Sequence, residues 1–194
     1  MRVRVLLPIF GLILAGTASA GELKGTVKVL GVRSSADAVV YVDTIAGKTF
    51  PAPKEHAEIN QKNIVFVPHV LPVVVGTTVD FHNGDAVLHN VFSPDKCCGA
   101  FNLGSWPQGQ SRSYTFKDRC VSTLLCKVHP EMEGFVLALP TPWFAVTDKN
   151  GAYVIKDLPD GDYTIKAWHE KAKAEVSKPV KVAGSTTADF ELKK

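Results

Sequence analysis

Past its first twenty residues this chain of 194 has no apolar run of about 18 residues, the length a bilayer-crossing helix requires. It has no dense block of lysine and arginine either, so nucleic acid is not an expected partner. No stretch of 11 or more residues carries a helical stripe, which argues against a helical bundle. Glycine-rich phosphate loops and a G-x-S-x-G elbow are absent, removing the common signatures of nucleotide and acyl-transfer enzymes. Sulfur is sparse: four cysteines, and two methionines of which one is Met1.

The N-terminus reads as an address. Arg2 and Arg4 precede an apolar stretch from Val5 to Ala15, and Ala18 to Ala20 reads "ASA", a small-residue cleavage signal. Residues 1–20 are therefore expected to be a secretory signal peptide, leaving a mature chain of 174 residues from Gly21. No cysteine follows the cleavage site to suggest a lipid anchor. The formal charge falls from +3 to about +1 once Arg2 and Arg4 are removed. The expected location is the periplasm, where thiols are oxidised. There Cys97, Cys98, Cys120 and Cys126 allow three fully paired connectivities, each of which would consume Cys126.

Apolar residues alternate at period two almost throughout, as in Val79 and Phe81 against Thr78 and Asp80. Strands with one buried face are expected at 23–30, 38–43, 63–67, 113–116, 123–126, 134–139, 144–148, 152–155, 163–167, 180–182 and 188–192. Turn signals such as "HNGD", "DKNG" and "LPDGD" separate several of them. The fold class is all-β, of the sandwich or Greek-key kind. "AGKTFPAPKEH" and "LPTPW" interrupt the pattern and divide the mature chain into segments of about 21–46, 54–140 and 141–194.

The third segment, "FAVTDKNGAYVIKDLPDGDYTIKAWHE", resembles the carboxypeptidase regulatory-like (transthyretin-like) β-sandwich in its "TDxxG" turn and "LPxGxYxxxxW" hairpin. That family's first strands are similar to Gly25–Val29 and Ala36–Val42 here. The resemblance implies a smaller, discontinuous sandwich built from 21–46 and 141–194, with 54–140 inserted as a larger one. Trp143 and Trp168 are expected in its core, or lining a glycan groove.

Within the middle segment "LLCKVHPEMEGFVLAL" sets Cys126, His129 and Met132 three residues apart. A thiol, an imidazole and a thioether together suit a soft metal, and two imidazoles with one thiolate and a weak axial methionine are diagnostic of copper in electron-transfer sites. A second imidazole comes from "VDFHNGDAVLHNVFS". His82 shares a strand face with Asp80, opposite Val79 and Phe81, whereas His89 follows a loop and is the better candidate. Singly, each has an ordinary alternative: Met132 as gap filler, Cys126 as half-cystine, His129 as a solvent-facing loop residue and His89 as a plain polar residue.

Residues 54–140 resemble the cupredoxins, most closely the amicyanin and plastocyanin-like branch. "VVVGTTVDFHNGDAVLHNV" is similar to that branch's "VxxGxxVxFxNxDxxxHNV", and "CKVHPEMEGFV" has its tightest cysteine–histidine–methionine spacing. The resemblance implies a Greek-key sandwich holding one type 1 copper ion. His89 and His129 would be nitrogen ligands, Cys126 the thiolate and Met132 the weak axial sulfur. It further implies that the Asn90 backbone bonds near the cysteine sulfur. A redox protein would dock on apolar surface near Leu88 and Pro130, around His129.

With Cys126 on copper, Cys97 or Cys98 is expected to pair with Cys120. The expected function is a periplasmic electron carrier; the alternatives are a copper-delivery protein, or a cell-envelope binding module with a structural metal site. An enzyme is not expected, since multicopper oxidases and nitrite reductases need further histidine pairs and no His-x-His occurs. Whether His69 or His82 binds a second metal is left open by the sequence, since exposed strand and loop histidines usually ligate nothing. Similar two-part chains are sometimes labelled methylamine utilisation proteins, but nothing in this sequence identifies an amine-oxidising partner.

Overall fold

The computed structural model describes residues 20–194; the expected signal peptide lies outside the described residues, save Ala20. The architecture is all-β, with a single 3-10 turn at Lys96–Cys98 among the described residues. Two strands come first, β1 (Ala20–Leu30) and β2 (Val39–Val42). Next come β3 (Ala57–Lys62), β4 (Val65–Val67), β5 (Val70–Val74), β6 (Thr78–Asn83) and β7 (His89–Ser93). β8 (Phe101–Trp106), β9 (Ser111–Thr115), β10 (Cys120–Leu125) and β11 (Glu133–Leu139) follow. The last six are β12 (Phe144–Val146), β13 (Ala152–Pro159), β14 (Gly161–Trp168), β15 (Val176–Val182), β16 (Ser185–Thr187) and β17 (Phe190–Lys193).

Strands from the middle of the chain make two sheets, ordered β5-β11-β10-β7-β8 and β4-β3-β6-β9. Each contains one parallel pair, β5 with β11 and β3 with β6, joined not by a hairpin but by a crossover through the strands that lie between them in the chain. Strands from both ends make two more: β13-β1-β16, with β17 also on β1, and β12-β2-β14-β15.

The inward faces follow the sequence alternation. In β6 Val79, Phe81 and Asn83 are buried while Thr78, Asp80 and His82 are partly exposed. In β10 Cys120, Ser122 and Leu124 point inward, and the same period carries Cys126 into the interior. One core gathers Ile59, Phe66, Phe81, Val91, Trp106, Phe116, Leu124, Cys126 and Met132. A second gathers Leu23, Val40, Tyr153, Ile155, Leu158, Ile165 and Phe190. Gly25 is required there, because a Cβ at that position would sit 2.1 Å from the Ala188 carbonyl oxygen.

A third cluster joins the two pairs of sheets. Val39 and Tyr41 of β2 pack with Val70, Phe135, Leu137 and Leu139, and Trp168 meets Phe135 edge-on at 5.4 Å. Trp168 thus belongs to this seam. Trp143 donates its ring N–H to the Asp157 carbonyl and packs against the second core. His69 also lies on the seam, its ring nitrogens paired with the Glu133 carbonyl at 3.1 Å and with Glu170 at 3.3 Å. Those two contacts engage both of its ring nitrogens.

Other departures from the sequence reading have local causes. The strand expected at 63–67 begins only at Val65, because Asn63 and Ile64 form a two-residue turn with φ of 57° and 60°. β5 escaped notice because "VLPVV" is buried without alternation and contains Pro72, which sits here on a sheet edge where a missing N–H costs little. Cys97 pairs with Cys120, while Cys98 is a buried free thiol within reach of Ser93, Asp95 and Ser122.

Candidate metal centre

The centre is built where β7 begins and where the chain leaves β10. β6 ends in Asn83, whose buried side-chain amide donates to the carbonyls of Val87 at 2.8 Å and Trp106 at 2.9 Å and accepts the Asp85 N–H at 2.9 Å. Those bonds wind the loop "NGDAVL" back on itself and deliver His89 to the first position of β7, fully buried. A polar side chain so enclosed must bond something.

Asp85 supplies one partner for His89: its Oδ2 accepts from the ring Nε2–H at 2.9 Å. Its carboxylate also accepts the amide protons of Asn63 at 2.8 Å and Ile64 at 2.9 Å. Burial disfavours the charged form of Asp85, but these amides and the histidine outweigh it and hold the carboxyl far below the usual carboxylate range. An ionised Asp85 fixes the proton of His89 on Nε2 and leaves Nδ1 as the lone-pair nitrogen.

That Nδ1 faces the Nδ1 of His129 across 3.1 Å. The Cys126 sulfur lies 4.0 Å from the same His129 nitrogen, and one donor atom from each of His89, Cys126 and His129 falls within a 4.8 Å span. Asn90 ties the two loops together. Its N–H points to the Cys126 sulfur at 3.4 Å and its Oδ1 accepts the Lys127 amide at 3.2 Å. Its Nδ2 donates to Asn102 Oδ1 at 2.9 Å and the Gly104 carbonyl at 2.7 Å. An amide proton directed at sulfur stabilises negative charge there, as a thiolate requires.

Met132 is fully buried in the same core as Cys126, and its amide bonds the His129 carbonyl at 3.0 Å in a tight turn. Gly134 follows, at a point where a Cβ would lie 2.9 Å from that of Phe66. His82 stands on the outer face of β6, as the alternation indicates. The sequence reading missed Asp85; its signal was the aspartate four residues before the histidine, in a loop that had to be buried.

The donor set fits a soft or borderline metal. Two imidazole nitrogens converge on one point beside a thiol, Cys126 is only 3% exposed, and Cys126 is outside the disulfide. Without a metal, one N–H···N bond between the histidines would satisfy the same pair. His129 is half-buried, and the residues before each histidine, Val87, Leu88 and Val128, are exposed apolar side chains.

No family model matches the chain, and no curated relative does. Among solved structures it is similar to a copper-containing nitrite reductase from Thermus scotoductus SA-01, at 22% identity and a TM-score of 0.43, over 51% of this chain and 25% of that one. It is similar to a purple cupredoxin from Nitrosopumilus maritimus at 28% identity and a TM-score of 0.38, over 42% of this chain and 98% of that one. An amicyanin variant in its reduced state aligns at 23% identity and a TM-score of 0.42, over 51% of this chain and 97% of that one. The chain therefore spans a quarter of the nitrite reductase and nearly the full length of the two smaller proteins.

Proposed function

We propose that this chain is a periplasmic type 1 copper protein that passes single electrons between redox partners, with His89, Cys126, His129 and Met132 as its ligands. The observation that carries the reading is the convergence of two Nδ1 atoms, 3.1 Å apart, beside an unpaired buried cysteine. Copper in such a donor set supplies a one-electron couple.

The chain's own residues do the rest. Asp85 and Asn90 hold His89 and Cys126 through bonds that do not depend on a metal, so the ligands are positioned beforehand. Burial of His89, Cys126 and Met132 keeps water from an open coordination position, which favours electron transfer over chemistry on a substrate. His129 is the partly exposed member, and the apolar side chains of Val87, Leu88 and Val128 offer a surface on which a redox protein can dock. The metal-carrying unit is residues 54–140, inserted between 21–46 and 141–194, which form an accessory sandwich; residues 1–20 export the chain.

The test is stoichiometric. Copper-loaded protein should lose its colour with one equivalent of a one-electron reductant and regain it with one equivalent of oxidant, while a Cu(I) chelator removes nothing on the timescale of cycling. Release of the ion to the chelator on each reduction would instead mark a delivery protein.

A further inference from the structure

His69, between β4 and β5, grips the chain just past Met132 from two sides. Its ring Nδ1 meets the Glu133 carbonyl at 3.1 Å, and its own carbonyl accepts the Phe135 amide at 2.8 Å. Gly134 lies between those bonds in close quarters: a Cβ there would come within 2.9 Å of that of Phe66 and 3.2 Å of the His69 carbonyl oxygen. On the loop side the Met132 amide bonds the His129 carbonyl at 3.0 Å. Residues 132–135 are thus tied at both ends, and the fully buried Met132 side chain goes where that backbone puts it.

The other ring nitrogen of His69 reaches a different sheet. Its Nε2 meets Glu170 Oε1 at 3.3 Å, and Lys171 Nζ holds the second oxygen of that carboxylate at 2.9 Å. Glu170 follows β14, in the sheet β12-β2-β14-β15 made by the two ends of the chain. The Glu170 side chain is 14% exposed, so the contact is largely sheltered from the screening that weakens surface pairs. Phe135 is met edge-on by the His69 ring at 5.6 Å and by Trp168, the last residue of β14, at 5.4 Å. One polar and one aromatic contact from the end of β14 therefore converge on residues 133–135.

We propose that His69 and Glu170 are positioning residues for Met132, a role that rests on the copper reading: the end of β14 sets the axial sulfur and, through it, the reduction potential of the centre. The axial ligand tunes the potential of such sites, and being weakly bound it follows the protein rather than the metal. Neither residue belongs to the ligand set. Losing the strut lets Met132 draw back, which withdraws electron donation that favours the cupric state, so the potential rises.

Met132 is the sole methionine apart from Met1, so its methyl resonance reports on that side chain in the metal-free protein. His69→Phe keeps a ring against Phe135 and removes both ring bonds, while Glu170→Ala removes only the far contact. Without metal, both variants should move the Met132 methyl resonance and speed hydrogen exchange at the Phe135 amide about tenfold. Loaded with copper, both should keep the Cys126-dependent absorption band and raise the potential by the equivalent of about threefold or more in the redox equilibrium. Because Glu170 acts through His69, the double variant should match His69→Phe alone. An unmoved or lowered potential in the folded variants, an unmoved methyl resonance, or additive shifts would overturn the proposal. A parent protein with no Cys126-dependent band would mark failure of the copper reading instead, and the metal-free readouts would still decide whether the strut exists.

Discussion

His89 and His129, forty residues apart in the chain, present the same ring atom, Nδ1, to each other across 3.1 Å. Such an approach needs both rings to be held from behind, and for His89 the holder is Asp85 at 2.9 Å. Replacing Asp85 by Asn leaves a neutral acceptor and frees the ring to change tautomer. Copper affinity should fall about 10–100-fold, the range for losing a carboxylate behind a metal-bound histidine, as read by competition with a chelator. Unchanged affinity would show that the ring is positioned by packing alone.

Asp85 has a second duty. It accepts both amides of the Asn63–Ile64 turn, where a β-branched residue sits at φ of 60°. Left-handed backbone costs an isoleucine about 1–2 kcal/mol relative to glycine. Ile64→Gly should therefore raise stability by no more than about 1 kcal/mol in urea unfolding: the side chain is 37% exposed, so little packing is lost, but the greater freedom of glycine in the unfolded chain offsets part of the relieved strain. A destabilised variant would mean that Ile64 contributes more through contacts than it costs in strain.

The Cys97–Cys120 bond closes a loop over a sequence separation of 23 and pins the 3-10 turn to the start of β10. Removing it with paired Cys→Ser changes should cost about 3 kcal/mol by the loop-entropy argument. The copper colour should persist, because neither sulfur belongs to the proposed ligand set. Its loss in a folded variant would tie the disulfide to the metal.

The seam between the two pairs of sheets carries a pH signature. Burial opposes ionisation of Glu170, but Lys171 at 2.9 Å and His69 at 3.3 Å outweigh it and hold the carboxyl below the usual range. A lowered folded pKa means the contribution is complete above the unfolded value of about 4.3 and is lost as the pH falls through the folded one. Glu170→Gln should be about 1 kcal/mol less stable than the parent at pH 7, with the gap closing below pH 4. A gap constant from pH 7 to 3 would place the effect in packing.

Much of this was legible in the sequence, for physical reasons. Period-two alternation exposed β6 and β14 because each has one wet face, and it placed His82 outside correctly. Cysteine and histidine three residues apart marked the loop in which Cys126 and His129 come together, because one loop supplies both. What stayed hidden depended on tertiary contact. β5 is buried without alternation; Asp85 acquires meaning only when Asn83 folds its loop; and the choice between Cys97 and Cys98 is made by which thiol the 3-10 turn aims at Cys120. Likewise His69 looked like any other histidine until Glu133 and Glu170 were brought against it.

A copper–thiolate bond at Cys126 would show itself in the visible absorption spectrum of the Cu(II)-loaded protein. Intense charge-transfer absorption is expected, lost in Cys126→Ser while the fold is retained. A colourless wild-type protein with copper bound, or a variant that keeps the band, would contradict it.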